Sequence, residues 1–135
     1  MSARSTRTGA CTAADARTRR RQAELYLEAA VLVQSEDLAE AATVATGNAV
    51  LAAIAAADAI CCALAGVRSR GQDHRQAIGL LQEVTGDAAL ARALREVLDL
   101  KDAGHYGLSN VSQSNCTAAL RRAQALVDAA STRVR

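Results

Sequence analysis

Lys101 and His105 stand four residues apart, with Tyr106 directly after them, in the stretch VLDLKDAGHYG over 97–107. One helical turn would bring the ammonium and the imidazole to the same side. A cation beside an imidazole suits phosphodiester cleavage. One steadies the charge on the pentavalent phosphorus, and the other takes the proton from a 2′-hydroxyl. The plainer reading has Tyr106 pack its ring in the core and tie its hydroxyl to the backbone, leaving His105 exposed. A second cluster lies in RSRGQDH over 68–74, with Arg68, Arg70 and His74. His74 falls in the first turn of a helix, on the side that becomes the apolar stripe. Such a helix start favours bound anions, so this corner suits a phosphate. The alternative is a partly buried histidine bonded to a loop carbonyl or to Asp58. That Asp58 is the third feature: apart from cysteines it is the one ionisable side chain in NAVLAAIAAADAICCALAG over 48–66. A buried carboxylate needs a cation or several donors. The loop arginines, Lys101, His74 and His105 are its available partners, as structural ion pair or as orienting group at a site.

The elements that would carry these residues are helices. The 48–66 stretch is alanine-rich and apolar nearly all round, which predicts a central helix buried on most sides. A membrane span is the rival reading. The length is borderline, alanine is a weak hydrophobe, and a mid-helix Asp is costly in lipid, so a core helix is expected. A first helix is expected from about Asp15 to Gln34, on a stripe of Tyr26, Ala29, Ala30 and Val33 reinforced by Leu25 and Leu32. Ser35 followed by Glu36 and Asp37 reads as the start of the second, which would run to Ala65 with a bend near Gly47 and stop at Gly66. Asp73 caps a third helix, with Gln76 completing a capping box, and Gly86 ends it. Asp87 caps a fourth, whose stripe of Leu90, Ala91, Leu94, Val97 and Leu98 reaches Lys101. DAGHYGLSN reads as a polar break, and Ser112 caps the last helix. The fold class expected is all-α, a four- to five-helix up-down bundle over 15–135, preceded by a disordered basic tail over 1–14.

Composition agrees with that class. The chain has 135 residues, half of them hydrophobic, with no Pro, Phe or Trp and two Tyr. One domain follows from the length, and sandwiches or barrels are improbable without aromatic residues. The net charge of +2 does not by itself imply nucleic acid. The arginines are uneven, though: Arg4, Arg7, Arg17, Arg19, Arg20 and Arg21 crowd the beginning, as a solvated tail and helix start or as a phosphate-facing run. DNA binding would need the first helix's arginines on one face. Cys11, Cys61, Cys62 and Cys116 show no metal-ligand spacing, and no disulfide framework follows from them, so free core thiols are the expectation. No metal or cofactor is expected. The N-terminus lacks an apolar signal core, which points to the cytoplasm.

With these residues in place, the layout resembles the HEPN domains of bacteria and archaea, in particular small stand-alone members. The likeness rests on the long alanine-rich second helix, RSRGQDH opening the third, and VLDLKDAGHYG, and it spans about Arg17 to Ala130. That resemblance implies a HEPN-type bundle, usually a homodimer, associated with RNA or nucleotide. Many members are metal-independent endoribonucleases of toxin–antitoxin or defence systems, and others partner a nucleotidyltransferase. The family signature is Arg, four to six residues, then His. Arg68 and His74 meet that spacing but come early. Lys101 and His105 lie where the signature belongs, with Lys for Arg and three residues between. Lys lacks the planar fork of Arg. Tyr106 matches the tyrosine that commonly follows. The function expected is RNA or nucleotide engagement in a groove lined by Arg68, Arg70, His74, Lys101, His105 and Tyr106, with or without cleavage. The rival is a non-catalytic dimerisation or partner-binding module.

Overall fold

Thr12 opens the first long helix. Its hydroxyl accepts from the Asp15 amide at 3.0 Å while the Asp15 carboxylate accepts from the Thr12 amide at 2.8 Å, a reciprocal cap that satisfies two end donors. The computed structural model describes residues 8–71 and 73–135. In chain order these form β1 (Thr8–Ala10), α1 (Ala13–Gln34), α2 (Ala41–Ala65), β2 (Val67–Ser69), α3 (His74–Thr85), α4 (Ala88–Leu98), α5 (Lys101–Tyr106) and α6 (Gln113–Arg133). The class is all-α, with one short antiparallel ladder in which Ala10 faces Val67, Gly9 faces Arg68 and Thr8 faces Ser69.

The core forms around α2. From Ala41 to Cys62 seventeen of its residues are buried, most of them alanines. Small side chains let α1 and α6 come close to its axis. Ala16, Ala23, Leu27 and Ala30 close one side, and Ala119, Leu120, Ala123, Leu126 and Val127 close the other. By length and composition α2 could cross a membrane, yet the larger part of it is covered by the rest of the fold. Gly66 ends it at φ 67°, a left-handed turn that costs a side-chain-bearing residue about 1 kcal/mol or more. Asp73, Asp87 and Ser112 cap α3, α4 and α6 by accepting backbone N–H bonds, as their sequence positions predict.

Several boundaries differ from expectation. Ser35 does not begin α2: it closes α1, its hydroxyl donating to Leu32 O at 2.7 Å, and a loop runs to Glu40. The first part of DAGHYGLSN, to Tyr106, is not a break but lies in α5, and Lys101 belongs to that helix rather than to α4; the break begins at Gly107. The reason is a close helix crossing. A Cβ on Gly104 would stand 3.0 Å from Gly47 N, and one on Gly47 would stand 2.9 Å from Gly104 O. Glycine at both positions lets α5 lie directly on α2. The tail expected over 1–14 is ordered from Thr8 onward, as β1 and the cap of α1. Its first part, with Arg4 and Arg7, lies outside the described residues.

The cysteine expectation is corrected. Cys11 and Cys62 form a disulfide with Cα atoms 5.5 Å apart across 51 residues of sequence. It fastens the entry of α1 to the last turn of α2, beside a bond from the Cys11 amide to Gly66 O at 2.9 Å. Cys61 and Cys116 stay outside it, both buried.

Candidate functional site

Asp58 is 9% exposed, on the face of α2 that meets α1 and β2. Its Oδ2 accepts from Arg19 Nε at 3.2 Å and Nη2 at 3.0 Å, and Arg68 Nη1 lies 3.5 Å away. Burial pushes its carboxyl up from the ordinary carboxylate range, against the pull of Arg19 and then of Arg68. Arg19 also donates to Gln22 at 2.7 Å, which fixes its guanidinium along α1.

This triangle forms one wall of a cavity of about 370 Å³. Arg70, His74 and Lys101 join Arg19 and Arg68 around it, while Ile54, Ala57, Ala77, Leu94 and Leu98 supply an aliphatic floor. Four cationic side chains and an imidazole thus outnumber the carboxylates Asp58 and Asp73 on the same wall. Three elements bring them in: α1 supplies Arg19, the segment from β2 into α3 supplies Arg68, Arg70 and His74, and α5 starts with Lys101. The first turn of α3 opens onto the cavity and adds its positive end. Ser69 lines the same space, and its buried hydroxyl has no hydrogen-bond partner among the described residues.

Five of the seven sequence candidates therefore meet: Asp58, Arg68, Arg70, His74 and Lys101. His105 and Tyr106 do not line this cavity. His105 Nε2 donates to Gly47 O at 3.1 Å, and Tyr106 is 75% exposed. Tyr106 is accordingly not a core ring. Lys101 and His105 share a helix, yet one joins the cavity and the other is held on α2. Of the partners offered for Asp58 only Arg68 is used; the principal one is Arg19, counted in the sequence only as part of a charge cluster. A signal was present, since a heptad-like apolar stripe on α1 at Ala16, Ala23 and Ala30 places Arg19 beside the buried side. Among the described residues, the remaining arginines of that cluster are otherwise engaged. Arg17 and Arg20 donate to the carbonyls of Arg135 and Val134, and Arg21 pairs with Glu24. They do not gather with Arg19 into one phosphate-facing row.

Chemically the cavity can take an anion of modest size with an apolar part. Guanidinium groups bind phosphate oxygens through charge-assisted bonds about twice as strong as neutral ones. Among the described residues no cluster of His, Cys, Asp and Glu is arranged to hold a metal ion. No model of a known protein family matches this chain, and neither does any curated protein.

Proposed function

We propose that this protein is a HEPN-like helical module that holds a phosphate-bearing ligand, a nucleotide or a stretch of RNA, in the cavity between α1, α2, α3 and α5. The convergence of Arg19, Arg68, Arg70, His74 and Lys101 over an aliphatic floor carries this reading. The phosphate would be met by Arg68, Arg70 and Lys101, with Arg19 held in place by Asp58, and the less polar part of the ligand would lie on Ile54, Leu94 and Leu98. Binding is favoured over cleavage, because His105 is tied to Gly47 O and does not line the cavity. Were the protein to cleave RNA, His74 would be the base and Arg68 the phosphate-holding group, without a metal.

Titration with 5′-nucleoside monophosphates and with a short RNA, in the presence of EDTA, tests this. Saturable binding that weakens at least tenfold in Arg68→Ala supports the cavity as the site. Binding that is absent, or unchanged in Arg68→Ala and Arg70→Ala, refutes it. RNA left intact by wild type and by His74→Ala alike leaves the binding role alone.

A second reading, a homodimer or a partner such as an antitoxin or nucleotidyltransferase docked on the bundle, has one observation in its favour. Leu25, Val31 and Leu32 are exposed on α1, and Val31 and Leu32 border a groove of about 600 Å³ against α6. Sedimentation of wild type against Leu32→Glu decides whether copies associate there.

A further inference from the structure

We propose that the Cys11–Cys62 disulfide is a thiol-responsive latch on the cavity, a reading that rests on the phosphate-binding role argued above. Cys62 lies one helical turn beyond Asp58 on α2, and Cys11 directly follows β1. The bond therefore fastens β1 at the place where β1 supports two of the cavity's arginines. Gly9 is opposite Arg68 in the ladder. The stem of Arg70 rests over Gly9, where a Cβ would stand 2.6 Å from Arg70 Cδ, so the Arg70 side chain takes the position it has because Gly9 carries none. Among the described residues, β1 is held apart from the disulfide by a three-residue ladder and by the bond from the Cys11 amide to Gly66 O. A two-stranded ladder of that length is marginal on its own.

The disulfide is also reachable. Cys11 is partly exposed, and both cysteines line a cleft of about 220 Å³ whose walls include Arg19 and Arg68. Those two arginines thus separate the disulfide's cleft from the main cavity and belong to both. A dithiol supplies the two electrons. One of its thiolates attacks Cys11 Sγ, the Cys11–Cys62 bond breaks, and Cys62 leaves as a thiolate that takes a proton. The second thiolate then attacks the mixed disulfide. Cys11 is released as a thiol, and the reductant departs as its own disulfide. Freed from Cys62, β1 lifts from β2, Arg68 and Arg70 lose their support, and anion affinity falls. Oxidation reverses the sequence.

The test compares the full chain, oxidised and after treatment with dithiothreitol, and the Cys11→Ser variant. Two measurements are made on the same samples: binding of inorganic phosphate and a nucleoside monophosphate, and amide hydrogen exchange over 67–71. The expected result is a roughly tenfold loss of affinity on reduction. It is accompanied by faster exchange of those β2 amides that face β1, with helical circular dichroism retained. Cys11→Ser should match the reduced protein and ignore dithiothreitol, and reoxidation should restore the wild type. Equal affinity and equal exchange in the two redox states overturn the latch, as does loss of the helical signal on reduction. Should neither state bind either probe, the phosphate reading falls. The exchange comparison then still decides the latch: faster exchange confined to the ladder upholds it, and no change ends it.

Discussion

Gly104 of α5 lies on Gly47 of α2 so closely that a methyl group on either would meet backbone atoms of the other helix at about 3 Å. This contact sets which way α5 faces. With Gly104 against α2, His105 reaches the Gly47 carbonyl, while Lys101, one turn earlier, borders the arginine-lined cavity. A pair that looks like one catalytic unit in the sequence thus has two different surroundings, the cavity for Lys101 and the α2 backbone for His105.

Gly47→Ala and Gly104→Ala should each destabilise the fold by about 1–3 kcal/mol, since backbone must shift to admit the methyl group. Gly79 in α3 has nothing within 4 Å of an added Cβ, so Gly79→Ala should instead stabilise by about 0.5–1 kcal/mol. Urea unfolding of the three variants checks the opposed signs.

His105→Ala should leave phosphate binding within twofold of wild type, because the imidazole lies outside the cavity. It should cost stability by about 1 kcal/mol for the bond to Gly47 O. A variant that bound nucleotide tenfold more weakly would place His105 at the site after all.

Arg19→Ala removes both of Arg19's bonds to Asp58 and leaves a mostly buried carboxylate facing Arg68 at 3.5 Å. The expected cost is about 2–4 kcal/mol, near the lower part of the range for breaking a buried pair. Arg19→Ala with Asp58→Asn should recover a good share of it, which a double-mutant cycle measures.

Asp58 also makes stability depend on pH. Its folded-state carboxyl is raised by burial, so the folded chain binds that proton more tightly than the unfolded chain, whose value is near 3.8. The stabilisation from this group is complete below that value and is lost as pH climbs through the raised folded value. Relative to Asp58→Asn, wild type should therefore lose stability as pH rises from about 3.8, then level off. Parallel thermal unfolding of the two proteins across that window reads the difference; wild type losing stability relative to Asp58→Asn as pH falls would contradict the assignment.

The local chemistry of this chain was readable from its residues alone. Alanine content and the absence of aromatics and proline dictate helices, and Asp73, Asp87, Ser112, Gly66 and Gly86 mark where they start and stop, since caps and left-handed turns are decided within a few residues. The burial of Asp58 followed from its neighbours' uniform lack of polarity. Tertiary structure decided the rest, because it depends on distances between residues far apart in sequence. Arg19 finds Asp58 across 39 residues and Cys11 finds Cys62 across 51, and neither spacing carries a signature. Gly104 could be read as a helix breaker until Gly47 was beside it. Only when α5 is laid on α2 does Lys101 come into the arginine cavity and His105 leave it.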